Sequence, residues 1–213
     1  MHTDTTRADT WDFGLGSAIP DLGDPGDVEI SSTDFSDTYY DTEDRDLLAH
    51  GTTVVYVDGD ERPAGWRVVT PSPAEAITER IDAPSTAVPP TIADALWGLS
   101  GGKPLRVAAI VHTHRTRHRH LDANGETDYQ VIDDTVSATA TGPVATATSW
   151  REVAVRSASS DAVPKGVRKR MVGAGARPAS ASSTYERAIG HGATLLAGAA
   201  LYHGAGDATS PIR

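Results

Sequence analysis

Apolar residues in this chain fall largely at alternate positions within short runs, the period of strands with one covered face. Such runs occupy residues 8–13, 28–40, 51–57, 66–70, 76–82, 107–121, 129–138 and 149–157. Asp58-Gly59-Asp60 separates two of them as a hairpin turn, and Gly, Pro and Asp fill residues 14–27. Helical spacing is weaker. It predicts a turn or two at 43–50 with Thr42 as a cap, and a short helix at 89–99 through Ile92, Leu96 and Leu99. A basic helix is predicted at 163–173 (Lys165, Arg168, Lys169, Arg170), another helix at 183–189, and a weak one in the Ala-rich stretch 191–203. About eight strands, mostly in hairpin order, predict a mainly β (α+β) fold: a closed eight-stranded antiparallel barrel with short flanking helices, a sandwich being the alternative. Residues 1–190 form this domain, and 191–213 a tail.

The densest chemistry lies at residues 107–125, V-A-A-I-V-H-T-H-R-T-R-H-R-H-L-D-A-N-G, with four histidines and three arginines. Asn124-Gly125 signals a two-residue hairpin leading into the strand of Tyr129. On a strand Ile110, His112 and His114 share one face. If that face lines a cavity, two imidazoles that titrate near neutrality stand side by side in it. The outer part, Arg117 to His120, reads as a solvated strand.

Composition narrows the field. The formal charge is −10 and the pI about 5.1, which disfavours nucleic acid and anionic membranes as partners. The absence of cysteine removes disulfides and thiolate sites. No apolar leader and no membrane-length run is present, so the chain reads as cytoplasmic. Serine-nucleophile motifs and phosphate-cradling glycine loops are missing.

Several stretches resemble one family in order and spacing: Tyr39-Tyr40-Asp41-Thr42, L-L-x-x-G-x-T at 47–53, Gly65-Trp66, R-T-R-H-R-x-L-D-A-N-G at 115–125, D-D-T-V-S-A at 133–138, S-W-R-E-V at 149–153, G-A-R-P at 175–178, and Arg187-Ala188-Ile189-Gly190. Together they look like the CYTH domain of the triphosphate tunnel metalloenzyme superfamily, most like the CYTH half of actinobacterial proteins with a helical CHAD domain. That resemblance implies a tunnel whose inward charges bind triphosphate and a divalent metal. The pattern departs where that chemistry sits. The opening E-x-E-x-K falls on Ala8, Thr10 and Asp12, and later basic positions become Val55, Val57, Val69, Ile110, His112 and His114. The glutamate before D-D-T becomes Gln130. Glu152 is kept, while the next two acids become Ala154 and Arg156.

The inward set that follows is Asp12, Val55, Val57, Arg67, Val69, Glu79, Ile110, His112, His114, Gln130, Ile132, Asp134, Glu152, Ala154 and Arg156. With Arg67 and Arg156 as fixed cations and Arg115 near the mouth, a polyphosphate would be under-compensated. The expectation is therefore a repurposed tunnel holding a largely apolar small molecule. His112, His114 and Glu152 would be acid/base groups of a metal-independent cyclase or isomerase of specialised metabolism, and the rest of the set would line the ligand. No cofactor and no metal is assigned. The alternatives are a non-catalytic binding or regulatory module and a residual triphosphate or nucleotide phosphohydrolase.

Overall fold

The computed structural model describes residues 10–20, 27–59, 63–72, 77–81, 86–142, 144–157, 165–180 and 183–190. The predicted tail, 191–213, lies outside them. The strands are β1 (Thr10–Phe13), β2 (Val28–Asp41), β3 (Thr53–Gly59), β4 (Gly65–Thr70), β5 (Ile77–Ile81), β6 (Arg106–Leu121), β7 (Thr127–Ala140), β8 (Thr146–Ser157) and β9 (Arg177–Pro178). The helices are α1 (Asp46–Ala49), α2 (Pro90–Ala95), α3 (Trp97–Ser100), α4 (Lys165–Gly173) and α5 (Thr184–Ala188). The helix predicted at 89–99 breaks at Leu96 into α2 and α3.

All strands join one antiparallel sheet in the order β5-β4-β3-β2-β6-β7-β8-β1-β9. The expected closed barrel is not what forms: among the described residues no ladder links β5 to β9, and the sheet keeps two edges. A ninth strand occupies one edge. It is two residues long and half proline, too short for any alternation to reveal and suited only to an edge. Among the described residues no helix is long and apolar enough to cross a membrane.

Both faces are partly covered. On the outer face, α1, α2 and α3 lie over β2–β4, where Tyr40, Leu47, Val54, Tyr56, Trp66, Val68, Ile92 and Leu96 pack together. Over β1, β7 and β8, α4 supplies Val167 and Met171 against Trp11, Phe13, Tyr129, Val131, Val153 and Val155. The inner face gathers Tyr39, Val55, Val57, Val111, Val136 and Trp150 beneath Tyr185 and Ala188 of α5. Thus α4 and α5, both legible in the sequence, cover opposite faces.

Parity along β6 depends on one irregularity. Tyr39 pairs with Ala109 but Tyr40 pairs with Val107, leaving Ala108 as an extra residue. Such a bulge reverses which face each later side chain meets. Val107 packs on the outer face with Tyr40, yet Ala109, Val111 and Thr113 face inward. Ile110, His112 and His114 consequently lie on the outer face, a correction to the expected inward set. Glu79 is corrected too. It pairs with Val68 of the outer face, while Thr78 and Arg80 take the inner positions beside Val69 and Arg67. The loop between β6 and β7 also exceeds the two residues that Asn-Gly predicts. Asp122 accepts hydrogen bonds from the backbone N–H groups of Asn124 and Glu126 (2.8 and 2.9 Å) and stabilises a wider turn, with Gly125 at φ 79°.

Candidate functional site

Beyond the bulge, β6 carries two rows. The inner row is Thr113, Arg115, Arg117, Arg119, and the outer row is His112, His114, Thr116, His118, His120. Direct cross-strand partners share a face, so the inner row continues through Val136, Asp134, Ile132 and Gln130 of β7 to Trp150, Glu152, Ala154 and Arg156 of β8, then to Asp12 of β1. On the other side it meets Thr33, Phe35 and Asp37 of β2, Val55 and Val57 of β3, and Arg67 and Val69 of β4. Eleven of the fifteen expected inward positions therefore share the inner face. The four that do not are Ile110, His112 and His114 of β6 and Glu79 of β5.

A cavity of about 250 Å³ opens on this face, lined by Thr33, Phe35, Asp37, Thr113, Arg115, Arg117, Asp134, Val136, Glu152 and Thr184. Side chains from β2 and β8 border it together, although three strand spacings put them about 14 Å apart in a flat sheet. The sheet must curl here.

Arg115 is held firmly. Its Nε and Nη2 donate to the two oxygens of Asp134 at 2.7 and 2.6 Å, and its guanidinium stacks over Phe35 at 5.0 Å. Arg156, farther along the same face, has its proton affinity lowered, first by burial and then by repulsion from Arg115 and Arg117, with Asp134 acting the other way. Arg115, Arg117 and Arg156 thus cluster on one face, with Asp134 among them and Asp37 and Glu152 on the wall of the same cavity.

The other wall is set by α5. Ser183 caps it in a reciprocal box with Glu186. Tyr185 is buried, stacks on Tyr39 at 5.0 Å, and donates its phenol to Asp41 at 3.1 Å. Burial first, then the Asp41 charge, pushes that phenol's pKa up. This anchoring presents Arg187, which donates to Asp12 at 2.7 Å, lies 3.3 Å from Glu152, and covers the Trp150 ring at 4.7 Å.

The implied divalent metal does not fit this face. Asp134 gives both oxygens to Arg115, while Asp12 and Glu152 face Arg187. Among the described residues no three His, Asp or Glu side chains converge on a metal geometry.

His112 and His114 stand instead in an open groove of about 850 Å³ on the outer face, with Asp34, Ser36, Asp58, Thr135, Ser137 and Ser149. There His114 Nδ1 lies 2.8 Å from Asp34 Oδ1, and both side chains are more than half exposed. Of the residues expected to act as acid/base groups, only Glu152 borders the inner cavity. The sequence-based set missed Arg117, Arg80 and Arg187 as inner-face cations. The first was signalled by R-T-R-H-R, whose arginines repeat with the period of one strand face.

Fold and site together define an open, curled antiparallel sheet protein with a charged pocket on its inner face, bordered by Arg115, Arg117, Asp37, Asp134 and Glu152. No family model matches the chain. Two uncharacterized Mycobacterium tuberculosis proteins, MT2285 of strain CDC 1551 and Rv2226 of strain H37Rv, are each 26% identical to it over 181 residues, covering 76% of this chain. The chain spans about a third (35%) of the length of these curated relatives. Among solved structures, the PH1819 protein of Pyrococcus horikoshii OT3 is similar at a TM-score of 0.45 and 12% identity, covering 88% of this chain and 98% of that one. A Bacillus halodurans protein described as a "putative adenylate cyclase" gives 0.45 and 13%, covering 73% of this chain and 82% of its own.

Proposed function

We propose that the chain is a metal-independent binding module for a small organic anion, taken up on the inner face at Arg115, Arg117 and Arg156. The observation that carries this reading is the arginine corner. Arg115 and Arg117 border a small cavity together with Asp37, Asp134 and Glu152, and Arg156, farther along the same face, is penalised by burial and by its like-charged neighbours. An acidic head group placed there relieves that repulsion and accepts charge-assisted hydrogen bonds. Phe35 and Val136 offer an apolar wall for the rest of the ligand. At about 250 Å³ the cavity lies just below the ~300–1,000 Å³ of typical drug-sized sites, so it suits a small metabolite or a head group.

A cyclase or isomerase built on His112 and His114 finds less support, because both imidazoles stand across the sheet from this cavity. Hydrolysis of triphosphate finds less support because the acids that would hold a metal are engaged by Arg115 and Arg187.

The test is calorimetric titration, with EDTA present, against inorganic phosphate, pyrophosphate, tripolyphosphate, mononucleotides and simple dicarboxylates. At least one is expected to bind, and Arg117→Ala and Arg156→Leu should each weaken it by about tenfold or more, the loss of one charge-assisted contact. Binding that survives both substitutions, or that needs added magnesium, would sink the reading. Turnover of tripolyphosphate with magnesium or manganese at about one per second or faster would restore the hydrolase alternative.

A further inference from the structure

The outer row of β6 belongs to neither the core nor the inner cavity. His112 and His114 are exposed, point to the same face, and sit in the open groove beside Asp34 of β2. Two residues of rise separate them, about 6.6 Å along the strand. At that spacing two imidazoles can turn toward one another and offer nitrogens to a single ion at the usual ~2.0–2.1 Å.

His114 already has the support that a metal-bound histidine requires. Its Nδ1 lies 2.8 Å from the Asp34 carboxylate, which leaves Nε2 for a ligand. A carboxylate behind an imidazole fixes the tautomer, orients the ring and raises its basicity. The groove lining is rich in oxygen, with Ser36, Asp58, Thr135, Ser137 and Ser149, and accommodates an ion that keeps part of its water.

We propose that His112 and His114 form a two-imidazole site for a borderline divalent cation of the zinc, nickel or copper type, with Asp34 as the positioning carboxylate and water completing the coordination. Imidazole pairs favour those ions over magnesium or calcium, which seek oxygen cages. No third protein ligand converges there among the described residues, so the ion binds on the surface and exchanges readily. The site is across the sheet from the arginine corner and does not depend on that reading.

The experiment titrates the full chain with nickel and with zinc by calorimetry. Alongside the wild type are His112→Ala/His114→Ala, His114→Ala, Asp34→Asn, and His118→Ala as a control on the same strand face. Thermal melts check that each variant folds, as expected at the exposed His112, His114 and Asp34 and the half-buried His118. The double variant should lose the binding event. Asp34→Asn should weaken it by about tenfold to a hundredfold, the usual effect of removing a supporting carboxylate. His118→Ala should leave it unchanged, and magnesium should give no heat at this site. An unchanged affinity in the double variant would place the metal elsewhere and overturn the proposal. So would an unchanged affinity in Asp34→Asn, a loss in His118→Ala alone, or no nickel or zinc binding by the wild type.

Discussion

Arg115 and Arg156 share a face but differ in how they are held. Arg115 is clamped by both oxygens of Asp134 and by the Phe35 ring. Removing that clamp leaves a guanidinium mostly withdrawn from water. Asp134→Asn should therefore cost about 1–3 kcal/mol in denaturant unfolding, less than the ~3–5 kcal/mol of a fully buried pair, because 25% and 18% of the two side chains remain exposed. The same change adds net positive charge to the corner, so affinity for the anion should rise even as stability falls. An inert structural ion pair would lower stability alone. Tyr185 sets a separate pH limit. Its folded pKa is raised above the unfolded value, so its contribution to stability is complete below the unfolded value of about 10 and is lost as pH rises beyond it. The denaturation midpoint should begin to drop near about pH 10 and keep falling as pH rises toward the higher folded value, and Tyr185→Phe should flatten that drop. An equal drop in both proteins would show that the phenol is not the cause. At this scale the sequence was informative about residue type and poor about company. Asp134 and Arg156 were visible as inward charges, but that Asp134 chooses Arg115 depends on a register pairing those two residues.

The elements that matter most are a short helix and a turn. The five residues of α5 are too few to be stable alone, and their helicity depends on the Ser183–Glu186 box and on Tyr185 packing. Ser183→Ala should cost about 1 kcal/mol, the usual loss of a helix cap. Because α5 presents Thr184 and Arg187 to the inner face, ligand affinity should fall in the same variant. A stable variant with unchanged affinity would separate α5 from the site. At the end of β3, Gly59 has φ 151°, and a Cβ there would stand 2.4 Å from Cβ of Phe35 and 2.8 Å from its Cα. Gly59→Ala should therefore displace the backbone of β2 beneath Arg115, costing about 2 kcal/mol or more and weakening anion binding. The helical box was readable as Ser-x-x-Glu. The bulge at Ala108 was not, since Val107-Ala108-Ala109-Ile110-Val111 is apolar at both parities and offers no alternation to break.

Across the whole molecule, ligand and fold are linked by mass action. An anion bound by the native state alone should raise unfolding free energy by about 2.7 kcal/mol at a hundredfold excess over its Kd. That gain should shrink with ionic strength, since guanidinium–anion attraction is screened. The pairing of β2 with β6 and of β1 with β8 was not determined by the sequence itself, whereas the hairpin pairings within β2–β5 and within β6–β8 and the chemistry of the densest strand were. They follow from local rules: a two-residue period, turn residues, and Arg and His alternating along one strand. Tertiary structure alone decided that the sheet stays open between β5 and β9, that α4 and α5 cover opposite faces, and that the arginines rather than the histidines of β6 face inward. A strand's two faces are equivalent until partners are chosen. Here one extra residue opposite Tyr39 and Tyr40 made that choice, turning the row expected to hold a pair of imidazoles into the row that holds the guanidiniums.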